Sequence, residues 1–269
     1  MAVVDTHCHA SPYWFEPVEV LVNEMDQNGV DKAVLIQFRG VFDNTYMIDC
    51  VGRYPGRFSM VAIVDTETDQ APQRLEEWVN RGAEGVRLGP AVRSPGEDAM
   101  AIWRKAAELG IVVSSLGTLK EFVSPEFDEV LNEFPNLTVI IEHLGGVGAY
   151  FGGSQSAPQV PYDEYHKVLT LARYSNTYMK IPGLGEFCPR PMPFRQPMPF
   201  ADIPPLIEQA VEAFGPQRLM WGSDFPPVAA REGYGNALRF PRDHVRFPSE
   251  EDKEWVFGKT AEGIFRFGK

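Results

Sequence analysis

Eight short runs rich in Val and Ile recur along the sequence, each separated from the next by enough chain to hold a helix, and this recurrence constrains the fold more than any other feature. They span residues 3–6, 33–37, 60–64, 85–88, 111–114, 139–142, 178–181 and 219–222. Each leads towards Gly, Pro or polar punctuation and then an amphipathic stretch, which is the rhythm of βα units. Strands buried on both faces read as continuous apolar runs, as Thr138-Val139-Ile140-Ile141 does. Helix signals fall between the runs: Asn28-Gly29 closes the first helix, and Pro125 opens one that ends near Pro135. Eight parallel strands predict an α/β fold, a (β/α)8 TIM barrel in one domain over residues 1–269. The same rhythm also fits an open doubly wound sheet, so closure is an inference.

Length supports the barrel, since 269 residues is close to the ~250 that one such unit takes. The formal charge of −12 repels phosphate backbones and anionic lipid surfaces, which argues against nucleic acid and membranes as partners. Cys8, Cys50 and Cys188 are odd in number and lack a CxxC pair, so they read as free thiols of a reducing compartment. The first residues carry no basic, then apolar, leader pattern, and the expected location is the cytoplasm.

Three connections are long for this architecture: residues 145–161, residues 182–205 with eight of the 23 prolines, and residues 223–248. All follow strand C-terminal ends, where barrel enzymes place their chemistry. Residues 182–205 read as a stiff, aromatic-faced lid, and residues 249–267 as terminal helices closing the outer layer.

The strongest local signal is Asp5-Thr6-His7-Cys8-His9 at the end of the first run. Residues two apart on a strand share a face, so His7 and His9 project together into the mouth while Cys8 turns to the helices. Paired imidazoles suit a metal or a hydrogen-bonded strand end. His143 follows Glu142 at the end of the sixth run; the two alternate in direction, so at most one is expected to point inward. His166 and His244 read as surface or packing groups. Asp224, within Trp221-Gly222-Ser223-Asp224-Phe225-Pro226, ends the eighth run, and in a closed barrel it would stand beside His7 and His9, able to hold a divalent metal or poise a water.

These pieces resemble the amidohydrolase superfamily, and within it the amidohydrolase-related group with lactonases and decarboxylases. The likeness rests on Asp5 to His9, on Phe134 to Gly146 with its Glu142-His143-Leu144-Gly145-Gly146, on Tyr178-Met179-Lys180-Ile181, and on Phe214 to Pro226, in that order along nearly the whole chain. The resemblance, strongest to the pyrone dicarboxylate lactonase-like branch, implies a distorted (β/α)8 barrel. Its roles fall on His7 and His9 from the first strand, His143 from the sixth, and Asp224 from the eighth as the group that takes the proton of the attacking water. This sequence departs where metal-dependent members add a histidine after the fifth strand, which here reads Ser114-Ser115, and where many binuclear ones carry a lysine or glutamate after the fourth, which here reads Val86-Arg87-Leu88. A protein-only metal shell would therefore be His7, His9 and Asp224, with His143 as a further ligand, zinc being the first choice; the branch also includes members that work without metal.

Substrate recognition is expected from cations at the mouth: Arg87, Arg39 and Lys180, with Arg190 and Arg195 in the Pro-rich segment, pairing with a carboxylate. Ser114 is a further polar contact, and Tyr46, Phe187, Phe194 and Phe200 could supply a flat wall. The expected activity is hydrolysis of a lactone or related cyclic ester bearing a carboxylate. A metal-dependent decarboxylase of an aromatic or muconate-like acid is the alternative within enzymes, and a ligand-binding barrel without catalysis is the alternative from another class. A homo-oligomer is compatible with the sequence, which does not set the oligomeric state.

Overall fold

Each apolar run becomes a strand in the computed structural model, which describes residues 1–147, 158–189, 200 and 202–268. The strands are β1 (Val4–Cys8), β2 (Lys32–Ile36), β3 (Phe58–Ala62), β4 (Gly85–Leu88), β5 (Val112–Ser115), β6 (Val139–Ile141), β7 (Thr177–Ile181) and β8 (Leu219–Trp221). All neighbours are parallel and follow sequence order from β1 to β8. Helices such as Val18–Asn28, Ala71–Asn80, Pro125–Glu133 and Leu206–Phe214 alternate with them. The helix signals fall where the sequence puts them: Gly29 is left-handed at φ 67° after Asn28, and Ser124 caps the helix that Pro125 opens.

The open-sheet alternative is excluded by contacts between the first and last strands. Thr6 Oγ1 donates to the Trp221 carbonyl at 2.7 Å, Asp224 N–H to the His7 carbonyl at 2.8 Å, and His9 N–H to the Phe225 carbonyl at 2.7 Å. Closure thus comes mainly from chain just beyond β8, with Cys8 bridging Phe225. Gly222 allows the approach, because a Cβ there would lie 2.5 Å from His7 Cβ and 3.0 Å from its backbone nitrogen.

The interior has two storeys. Val4, Val34, Ile36, Val61, Val112, Ile140 and Met220 meet Ala261, Phe265 and Phe267 in one apolar cluster. Phe265 and Phe267 come from the chain end, where residues 249–267 were expected only to close the outer layer. Glu84, just before β4, accepts the Arg266 N–H at 2.6 Å and so ties that end beneath the barrel. Above this storey the inward positions turn polar.

A register shift decides which residues of β1 face inward. Asp5 pairs with Ala33 and Cys8 with Leu35, so three steps on β1 match two on β2. This bulge lets both Val4 and His7 face the interior, whereas Cys8 packs with Leu35 in the outer core and donates to the Val34 carbonyl. All three cysteines are free and buried, and His166 and His244 are exposed. No helix among the described residues is long and apolar enough to cross a membrane.

Candidate active site

The strand ends bring His7, His9, His143 and Asp224 to one point. Ring centroids of His7 lie 5.1 Å from His9 and 4.5 Å from His143. Asp224 Oδ1 lies 3.7 Å from His9 Nε2 and 3.9 Å from His7 Nε2. Two sets, His7 with His9 and Asp224, and His7 with Glu142 and His143, each present donor atoms within 4.8 Å of one another, close enough to hold a metal ion.

Each imidazole is aimed by its other nitrogen. His9 Nδ1 is 2.7 Å from the Ile36 carbonyl, which can only accept, so the hydrogen sits on Nδ1 and the lone pair of Nε2 faces Asp224. His143 Nδ1 donates to Glu186 Oε1 at 2.7 Å. Burial opposes charge on His143, but Glu186 outweighs it and raises its pKa above the usual histidine value. His7 goes the other way: burial first, then the Lys180 charge, push its pKa well below the usual value. Its Nδ1 lies 3.2 Å from Lys180 Nζ, and its buried Nε2 has no hydrogen-bond partner among the described residues.

Glu142 and His143 both reach the site, which corrects the expectation that only one could. The strand ends at Ile141, and His143 and Leu144 take left-handed backbone at φ 51° and 50°, followed by Gly145 and Gly146 at 76° and 88°, so strand alternation no longer applies. At Gly146 any side chain would run into the Gly117 carbonyl and the Thr118 backbone.

Beneath the histidines, Glu142 organises a fully buried network. Arg87 grips it with Nη2 at 2.7 Å and Nε at 3.1 Å, and sends Nη1 to the Gln37 carbonyl at 3.1 Å. Ser114 Oγ donates to Glu142 at 2.6 Å and accepts from Lys180 Nζ at 2.9 Å. Burial would raise the Glu142 pKa, but Arg87 and then Lys180 hold it far below the ordinary carboxyl range. Burial likewise brings Lys180 down to about 8, with Glu142 opposing and Arg87 adding to the drop. Arg87 and Lys180 thus reach into the barrel, as inward strand residues, yet both are engaged with Glu142.

Asp224 sits in left-handed backbone at φ 59°, and its Oδ2 accepts from Arg231 Nη1 at 3.0 Å. Burial acts to raise its pKa, but the neighbouring His9 and the charges of His143 and Arg231 lower it, so it is an ionised carboxylate at neutral pH. Behind the turn, Asp5 accepts from Ser223 N–H at 2.9 Å, Ser223 Oγ at 2.6 Å and His7 N–H at 3.1 Å, which locks the first strand to the Asp224 turn.

Above these groups opens a cavity of about 520 Å³, within the size range of small-molecule sites. Its walls include His9, His143, Asp224, Glu186, Arg39 and Arg87, with Trp14, Phe15, Phe38 and Leu116 as apolar sides. Phe15 stacks on His9 at 5.3 Å and meets Phe38 edge-on at 5.0 Å. Ser114 and Lys180 lie buried below the cavity. Tyr46 stands apart from it, its hydroxyl accepting the Val18 N–H at 2.9 Å. Phe187 and Phe200 belong to the apolar core rather than to a site wall. Arg190, Arg195, Phe194 and the middle of the expected lid, residues 190–199 with 201, lie outside the described residues.

Sequence reading missed Glu186, Arg231, Trp14, Phe15 and Phe38. Glu186 follows the Gly183-Leu184-Gly185 turn after β7, and its position after a strand end was the available signal. Arg231 carries none, since it lies seven positions after Asp224, across a 3-10 turn. The aromatic run Tyr13-Trp14-Phe15 after the histidine pair was visible as a loop at the catalytic face.

Comparison with known proteins agrees with this architecture. The profile described as Amidohydrolase matches residues 4–267. Among curated proteins, L-fucono-1,5-lactonase of Burkholderia ambifaria is 24% identical over 262 residues, covering 90% of this chain and 82% of that one. The 4-sulfomuconolactone hydrolase of Rhizobium radiobacter is 25% identical over 237 residues, covering 84% and 70%. Among solved structures, the putative 2-pyrone-4,6-dicarboxylic acid hydrolase of Pseudomonas putida superposes with a TM-score of 0.76 at 20% identity, covering 100% of this chain and 98% of that one.

Proposed function

Because the chain belongs to the amidohydrolase family, we propose that it is a hydrolase that opens a lactone or related cyclic ester bearing a carboxylate. The observation that carries the reading is the placement of Asp224 in the cavity wall, its Oδ1 3.7 Å from His9 Nε2 and 3.9 Å from His7 Nε2. Two relatives named for acting on lactones support the substrate class.

In this reading a water attacks the ester carbonyl and gives its proton to Asp224. The oxyanion that develops on the carbonyl oxygen is stabilised by His143, whose pKa Glu186 raises, and by His7. The ring C–O bond then breaks, the leaving oxygen takes the proton from Asp224, and a hydroxy acid results. Arg39, at the rim of the cavity, receives the substrate carboxylate, and Arg87 contributes the edge it presents to the same cavity. Lys180 acts from below, through Ser114, Glu142 and His7.

The donor set also fits a divalent cation. His9 has its Nε2 lone pair facing Asp224, and His7 Nε2 is a buried atom without a partner. His7, His9 and Asp224, with His143 beside them, would hold a zinc ion, whose bound form supplies Lewis acidity to the carbonyl and a more acidic water.

The test is a panel of lactones with and without a carboxylate, assayed with the purified chain as isolated, after chelation and after zinc addition. The expected product is the hydroxy acid, and the carboxylated lactones should be preferred. Carbon dioxide release from aromatic acids, without lactone opening, would transfer the site to decarboxylation.

A further inference from the structure

The side chain of Arg231 is only 4% exposed and does not line the cavity. Its guanidinium is surrounded by three carboxylates. Nη1 donates to Asp224 Oδ2 at 3.0 Å, Nη2 lies 3.7 Å from Glu186 Oε2, and Nε lies 3.7 Å from Glu232 Oε2. The first of these partners is the group read above as the base. The second carries His143 on its other oxygen, at 2.7 Å. The third accepts the Gly185 N–H at 3.0 Å and so anchors the turn that presents Glu186. That turn is packed against it: any side chain at Gly183 or Gly185 would run into the Glu232 carboxylate.

We propose that Arg231 is the positioning residue of the site: one buried cation holds Asp224 by Oδ2, leaving Oδ1 towards the histidines, and through Glu186 it also holds His143. The kinetic part of this inference rests on the lactonase reading; the hydrogen-bond part does not. Without the guanidinium, three carboxylates would face one another in a space of low polarity. Asp224 Oδ2 would lose its donor, and the carboxylate would turn towards the imidazoles it is meant to work beside. Glu186 would lose the charge that opposes its repulsion by Asp224 and Glu232, and its hold on His143 would weaken. Arg231 touches no substrate in this scheme, so its effect falls on the chemical step rather than on binding.

The experiment compares the parent chain with Arg231→Met, Arg231→Lys and Arg231→Ala. Two readouts are taken: steady-state kinetics on the best lactone, and the far-downfield proton resonance of His143 Nδ1–H, assigned by its loss in His143→Gln. In Arg231→Met, kcat should fall about 10- to 100-fold, as for other groups that orient a site residue from behind. KM should stay within about threefold, and the resonance should move or broaden. Arg231→Lys should recover part of the rate, and free guanidinium should partly restore Arg231→Ala. A parent-like kcat in Arg231→Met, or an unchanged His143 resonance, would overturn the inference. If the Met variant does not fold, the decision passes to Arg231→Ala, where a rate indifferent to guanidinium refutes the proposal. If the parent opens no lactone, the lactonase reading fails, and the His143 resonance alone decides whether Arg231 positions it.

Discussion

The lower storey of the barrel interior and the upper one are built from the same strands, yet they obey different physics. Below, Val34, Val112 and Ile140 close on Phe265 and Phe267, and the contacts are interchangeable among apolar side chains of similar volume. Two residues further along β4, β5 and β7, the interior holds Arg87, Ser114 and Lys180 around Glu142, where every group depends on a named partner. The difference teaches that the lower storey contributes stability tolerant of detail, whereas the upper one contributes orientation that a single lost charge would undo.

Substitutions in the two storeys should therefore separate activity from stability. The largest effect is expected at the top: Asp224→Asn should lower kcat/KM about 10³-fold, the scale of general-base loss, with a nearly unchanged melting temperature. Turnover kept at the parent level would remove Asp224 from the reaction.

Glu142→Gln should come next, and it should cost stability as well as rate. It leaves Arg87 and Lys180 buried without their counter-charge, a loss of about 3–5 kcal/mol for a broken buried pair, measurable by denaturant unfolding. The pH dependence has a definite sign. The Glu142 pKa is lowered on folding from its ordinary 4.5, so its contribution is fully present above about that pH and is lost as the pH falls through the folded value. The parent's advantage over Glu142→Gln should be constant near neutrality and shrink in acid. A gap that widened below pH 4.5 would contradict the network.

The smallest effect is expected below. Ile140→Val, in the apolar storey, should cost about 0.5–1.5 kcal/mol of stability and leave kcat and KM unchanged. A kinetic effect there as large as that of Glu142→Gln would erase the distinction between the storeys.

The parts of this protein legible in the sequence are those written in periodicity and punctuation. Buried parallel strands must be apolar on both faces and must alternate with amphipathic helices, so the eight strands appear in the sequence within two residues of their places. His7 and His9 share a face by the two-residue period alone, and Asp224 follows a strand that a barrel must bring back to the first. The tertiary structure alone decided the rest. The bulge after Asp5 changes the phase of β1, and the left-handed turn at His143 and Leu144 brings Glu142 and His143 to one place against strand alternation. Glu186 and Arg231 join the site through turns, and Lys180 and Arg87, readable as cations at strand ends, prove to be engaged with Glu142. Alternation and capping act between near neighbours and leave a trace in the order of residues. Which charge meets which across a closed barrel depends on backbone turns and on chain far away in sequence, and no local pattern encodes that.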